Sequence, residues 1–111
     1  MKYIITESKV LSILEKYLND IKWGIINYDE WEMTRLFFKD QMQFPEDAIF
    51  ESYTDESDGE YPDQRVLLVR DEFFDKLSSL FSLTPGELSI FLTKWYNDYT
   101  GEKIDTVDFM S

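Results

Sequence analysis

The chain contains neither cysteine nor histidine. Without them it cannot build a Ser-His-Asp or Cys-His site, a His-ligated zinc, a CxxC redox centre or a disulfide staple. Only carboxylate, Lys, Tyr or substrate-assisted chemistry remains. Glycine occurs 4 times in 111 residues and forms no nucleotide-binding loop. No apolar run approaches the length of a membrane span. Met1 to Thr6 offers only Tyr3, Ile4 and Ile5 before Glu7 and Ser8, short of the h-region of a signal peptide, so the expected location is cytoplasmic.

Positive charge is scarce as well. Eleven Lys and Arg face 23 acids, for a net charge of −12. Pro45 to Gln64 holds eight of those acids (Glu46, Asp47, Glu51, Asp55, Glu56, Asp58, Glu60, Asp63) and no Lys or Arg. Charge concentrated in this way repels nucleic acid and anionic membrane, and admits a basic protein partner. The partner-binding residues expected on this ground are Glu51, Asp55, Glu56, Asp58, Glu60 and Asp63.

Hydrophobic groups are plentiful: apolar residues make up 43% of the chain and aromatics 17%. Burial of rings can therefore offset the conformational entropy lost on folding without disulfide or metal, in one domain over residues 1–111. Helical spacing of Val10, Leu14, Tyr17, Leu18 and Ile21 predicts a helix from about Thr6 to Asp20, preceded by an edge strand or docked arm at Lys2 to Ile5. From Trp23 to Asp40 both alternating rows carry large apolar groups, which fits a strand buried on two faces or a short helix; strand is the reading taken. Ala48 to Thr54 and Arg65 to Arg70 read as two further strands. The Asp58-Gly59 turn signal and Pro62 place an acidic hairpin loop between them.

Two helices follow. Asp71 to Ser82 places Phe73, Phe74, Leu77, Leu80 and Phe81 on one side. Thr84, Pro85 and Glu87 then form a capping box that opens a helix with the stripe Leu88, Phe91, Leu92, Trp95, Tyr96 and Tyr99, and Gly101 stops it. Lys103 to Met110 reads as an extended tail. The predicted class is α+β: an N-terminal helix, a small antiparallel sheet of about three strands with a long acidic hairpin loop, and two C-terminal helices packed on one face. The expected shared core is Trp31, Phe37, Phe50, Val66, Leu68, Phe74, Leu77, Phe81, Leu88, Phe91 and Trp95.

The opening Lys2-Tyr3-Ile4-Ile5-Thr6-Glu7-Ser8 and its helix, the few strands, and Phe73-Phe74 to Phe81-Ser82-Leu83 before a helix bearing Trp95 together resemble small uncharacterised proteins of tailed bacteriophages. The resemblance covers about half the chain. It implies a viral origin and expression in a bacterial cytoplasm, and brings no activity or functional residues. The acidic stretch departs from the short hairpins usual in that family.

The acids admit several chemistries. An EF-hand with Asp58 and Gly59 at its fifth and sixth positions fails, because Thr54 and Arg65 would then be its first and twelfth ligands. A non-EF divalent site among Asp55, Glu56, Asp58 and Glu60 stands behind a plain solvated loop. Nucleic-acid mimicry meets a density problem. Duplex DNA carries a charge per ~1.7 Å, whereas eight acids on twenty extended residues give about one per 8 Å. A hairpin doubles that density, and Glu30, Glu32, Asp71, Glu72 and Asp75 add to it where they share its face. A hydrolase needs two facing carboxylates in unequal surroundings, such as Glu30 or Glu32 beside Trp31 with an acid of the loop. The function expected is non-catalytic binding of a basic protein partner, with no cofactor, no metal, no direct nucleic-acid binding and no membrane. Charge mimicry against a host DNA- or RNA-binding protein is the first alternative and a carboxylate-based hydrolase the second; self-association is left open. Ile90 falls off the stripe of its helix, and Ile25 and Ile26 follow Gly24 in an irregular region; exposed, they would form an apolar patch, and covered, they close the far side of the core.

Overall fold

The computed structural model describes residues 7–41, 44–56 and 62–111. The elements run α1 (Glu7–Asp20), β1 (Trp23–Tyr28), β2 (Met33–Phe38), β3 (Phe50–Asp55), β4 (Gln64–Arg70), α2 (Asp71–Phe81), α3 (Pro85–Thr100) and β5 (Thr106–Met110). The α+β class is as expected, but the sheet has five strands, not three. The arm at Lys2 to Ile5 lies outside the described residues.

The five strands stand in chain order, β1 to β5. The first four pair antiparallel, and β5 joins β4 in parallel. A parallel neighbour needs a long crossover, and α2 and α3 supply it. This corrects two expectations: the sheet is mixed, and the tail after Lys103 is its fifth strand. The segment from Trp23 to Asp40 resolves into β1, a 3-10 turn at Asp29–Trp31, and β2, so the strand reading holds with a hairpin inside it.

Register assigns the two faces. Trp23, Leu36, Phe50, Leu67 and Val69 share the inner face and form one core with Leu14 and Leu18 of α1, Phe73, Phe74 and Leu77 of α2, and Leu88, Leu92, Trp95 and Tyr96 of α3. Trp23 is its hub, with Phe38, Phe50, Phe73 and Trp95 ring centroids between 5.5 and 6.1 Å away. Its indole N–H donates to the Leu18 carbonyl at 2.9 Å, so this large ring is buried with its polar handle satisfied. Phe37 and Val66, expected in that core, are buried on the outer face instead, because their strand positions are odd to those of Leu36 and Leu67. Trp31 is a plain correction. It sits in the β1–β2 turn, 65% exposed, stacked on Tyr28 at 5.7 Å. Leu80, placed on the core side of α2, is exposed too.

The α3 boundaries follow their local signals. Thr84 Oγ1 accepts from Glu87 N–H at 3.2 Å and Glu87 returns the bond to Thr84 N–H at 3.1 Å, with Pro85 in the first turn. At the far end Gly101 takes φ 78°, a left-handed conformation that glycine adopts without steric cost, and donates to the Asn97 carbonyl at 2.8 Å. The stop after α2 uses Ser82 in the same left-handed region at φ 52°.

Candidate functional site

Strand directions put three loops at one end of the sheet: the β1–β2 turn, the β3–β4 hairpin and the α3–β5 connection. Among the described residues these loops and the adjoining strand tips bring Asp29, Glu30, Glu32, Asp55, Glu56, Asp63, Glu102 and Asp105 together, against Arg65 and Lys103. Asp71, Glu72 and Asp75 begin α2 at the opposite end, so they do not add to the hairpin, whereas Glu30 and Glu32 do.

Of the expected partner-binding residues, Asp55, Glu56 and Asp63 lie exposed beside the hairpin loop. Asp58 and Glu60 lie outside the described residues. Glu51 is set apart from the others, in mid-strand on the outer face. It is the register partner of Arg35 and accepts from its Nε at 2.5 Å, both side chains being largely covered. Arg35 also lies over the Tyr28 ring, 5.1 Å from its centroid. Glu51 therefore holds the sheet together and is already matched by a cation.

The inner face of the same end carries a polar network that sequence reading missed. Arg65 Nη2 donates to Glu102 Oε1 at 2.6 Å and to Ser52 Oγ at 3.3 Å, while its Nη1 donates to Thr54 Oγ1 at 3.0 Å and to the Glu32 carbonyl. Ser52 donates to Glu102 Oε2 at 2.7 Å and meets the Tyr96 hydroxyl, also at 2.7 Å. Thr34 Oγ1 lies 3.0 Å from Asn27 Oδ1 and 3.3 Å from Glu102 Oε1. The backbone closes the loop, with Arg65 N–H donating to Asp105 Oδ2 and Asp105 N–H to the Arg65 carbonyl, both at 2.8 Å. Burial pushes the Tyr96 phenol far above its ordinary range, and the neighbouring Glu102 charge pushes the same way against the Ser52 hydrogen bond. Tyr96 is thus a neutral hydrogen-bonding group.

The only sequence signal for this network is a row of polar positions where the inner face would otherwise be apolar: Thr34, Ser52, Thr54 and Arg65 share a face with Leu36, Phe50 and Leu67 at two-residue spacing along their strands. Glu102, its centre, lies in a loop and carries no such signal. An open depression of about 460 Å³ lies over the network, lined by Asn27, Tyr28, Asp29, Glu32, Met33, Thr34, Thr54, Arg65, Glu102 and Lys103. Chemically, Glu102 has both oxygens engaged and Arg65 is directed inward, so the network fixes the three loops relative to one another. Every buried side-chain N or O atom among the described residues has a partner, and no group of three or more carboxylates there is placed to hold a metal ion. No helix of the described residues is long and apolar enough to cross a membrane.

On the far side of the helical layer, α1 and α3 run alongside each other. Trp95 Nε1 donates to Asn19 Oδ1 at 3.0 Å between them. Outside that bond they leave a groove of about 620 Å³ with Leu11, Ile90, Phe91 and Tyr99 on its walls. Ile90 is 75% exposed, whereas Ile25 is less so and lies on the sheet. Comparison with protein-family models, with curated proteins and with solved structures gives no match to the chain.

Proposed function

We propose that this chain is a non-catalytic binding domain that captures a basic protein through the acidic end of its sheet. The observation carrying this reading is the convergence of carboxylates from three separate loops, at an end where the cation best placed to neutralise them, Arg65, is already paired with Glu102. Asp55 and Glu56 present charge outward, and Asp58, Glu60 and Asp63 belong to the same loop by sequence. A field of one sign steers a basic surface toward the loops and raises its association rate by roughly 10- to 1000-fold at low salt. Exposed carboxylates without desolvation supply rate and orientation more than affinity.

Tagged full-length protein, incubated with bacterial lysate and washed with a salt gradient, tests the reading; the bacterial source follows from the phage resemblance. Basic proteins should be retained and released at modest salt. With such a partner purified, the triple variant Asp55→Asn, Glu56→Gln, Asp63→Asn should associate about tenfold more slowly at low salt and equally fast at high salt. Retention of acidic partners only, or an unchanged rate in the variant, would sink the proposal.

A second reading, mimicry of nucleic acid toward a DNA- or RNA-binding protein of the host, draws on the same convergence. One extended strand is too dilute in charge, but the β1–β2 turn adds Asp29, Glu30 and Glu32 to the hairpin. Duplex DNA that competes for the captured partner supports mimicry; a partner indifferent to DNA supports simple steering.

A further inference from the structure

We infer that the groove between α1 and α3 receives an amphipathic helix with a basic polar face, contributed by the partner protein; this rests on the binding reading above and assigns the surface that supplies affinity. The groove sets Leu11, Ile90, Phe91, Trp95 and Tyr99 between polar and charged residues. Leu11 and Phe91 are only part-covered, Tyr99 is exposed while stacked on Trp95 at 5.1 Å, and Ile90 projects into solvent. Ile13 and Leu80, both exposed, continue the apolar surface past the Glu87 end of the groove.

The shape selects a helix. From Ile90 to Tyr99 the wall is about 14 Å long at ~1.5 Å per residue, enough for anchors at i, i+3, i+4 and i+7 of a docked helix, which span about 10 Å. An extended segment would lay its own N–H and C=O groups against two helices that offer no strand edge to pair with. A helix satisfies those groups internally. Groove packing between helices also places side-chain ridges of the newcomer between those of α1 and α3.

Charge selects the polar face and rejects a second copy. Glu15, Glu87 and Asp98 rim the groove against Lys94 alone. A second copy would bring its own net charge of −12 against −12. The Asp98–Tyr99 end of the groove lies at the end of α3 that leads through Thr100 and Gly101 to the α3–β5 connection of the acidic end.

The test uses the full chain and three synthetic peptides of about 18 residues, five helical turns. One carries Leu at i, i+3, i+4 and i+7 with Lys elsewhere, one is its scramble, and one has Glu for Lys. Binding is followed by backbone amide shifts. The Lys/Leu helix should move amides of α1 and α3 around Leu11, Asn19, Ile90 and Tyr99, and should bind about tenfold or more tighter than the scramble. Ile90→Glu should weaken it by about tenfold although the substitution adds a favourable negative charge; Ile90 is exposed, so the fold is unaffected. Shifts confined to residues 29–32 and 54–65, with Ile90→Glu neutral, would overturn the groove and leave the acidic-end reading standing. Equal binding of the Glu/Leu helix would overturn the charge assignment. Failure of the Lys/Leu helix to bind anywhere would remove both proposals. A dimer by sedimentation that Ile90→Glu returns to monomer would assign the groove to a second copy and overturn the inference.

Discussion

Arg65 of β4 and Glu102 of the α3–β5 connection meet at 2.6 Å across 37 residues of chain, and both side chains are about four-fifths covered. The pair is charge-assisted and shares its remaining atoms with Ser52, Thr34 and Thr54, so its loss costs more than one ion pair. Glu102→Ala leaves a covered guanidinium without its counter-ion and takes the acceptor from Ser52. It should destabilise by about 2–3 kcal/mol. Glu102→Gln keeps the shape and one of the two acceptor oxygens, and should cost about 1 kcal/mol. Urea denaturation of the two variants checks the ratio. Equal losses would mean that the carboxylate charge, and not the shape of the side chain, holds the three loops together.

The same network predicts an alkaline limit. Burial raises the Tyr96 phenol far above its ordinary value of 10.0, so the folded protein holds this proton more tightly than the unfolded chain does. A group raised in the folded state contributes its full stability below the unfolded pKa and loses it as pH rises toward the folded one. Wild-type stability should therefore be insensitive to Tyr96 below pH about 10 and fall above it. Tyr96→Phe should start about 1 kcal/mol lower, from the lost Ser52 hydrogen bond, and fall less steeply above that pH. The six other tyrosines are common to both proteins, so the difference in slope isolates Tyr96. Parallel slopes would contradict the buried, neutral phenol.

Two tryptophans separate the buried hub from the turn. Trp23 is packed among four rings and bonded to the Leu18 carbonyl, whereas Trp31 touches Tyr28 on the surface. Trp23→Phe removes a buried donor and part of a ring, and should cost about 2–3 kcal/mol. Trp31→Ala should change stability by less than about 1 kcal/mol. Thermal melts give the ordering directly, and a large loss at Trp31 would place it against the core.

What could be read from residues alone divides by the range of the cause. Thr84, Pro85, Glu87 and Gly101 act within four residues of where they sit, so the α3 boundaries were legible. The β3 and β4 runs and the helical spacing of α1 were legible for the same reason. Trp31, Met33, Arg35 and Phe37 form one alternating row, but the chain leaves the strand before Trp31, and no local pattern marks that exit. Residues 106–110 become a strand only because two helices return them beside β4, a long-range pairing with no turn signal of its own. The acids of Pro45 to Gln64 were legible as charge. That the β1–β2 turn joins them, and that Glu51 is matched by Arg35, depends on strand register. The Glu102 network depends on four strands, α3 and the α3–β5 connection at once.

Ser82 ends α2 at φ 52°, where a Cβ is strained and glycine is not. Its side chain is exposed. Ser82→Gly should stabilise the protein by about 0.5–1 kcal/mol, seen as a higher urea midpoint at unchanged slope. A loss would mean that the αL position is not strained for serine in this chain.

Glu32 is strained and charged at once. It takes φ 49° at the end of the β1–β2 turn, and its backbone N–H donates to the Asp29 carbonyl at 3.4 Å. Its side chain reaches Thr54 only at 3.5 Å, on the surface, so little side-chain bonding is lost on removal. The carbonyl that accepts from Arg65 belongs to the backbone and survives any substitution. Glu32→Gly relieves the left-handed strain and should raise stability by about 0.5 kcal/mol. It also removes one carboxylate from the acidic end, so association with a basic partner should slow at low salt while the protein itself becomes more stable. Stopped-flow association at two ionic strengths, beside a urea melt, separates the effects. A variant that is stabilised yet associates at the wild-type rate at low salt would take Glu32 out of the steering field, and one that is destabilised would show that its side chain, not its backbone, sets the turn.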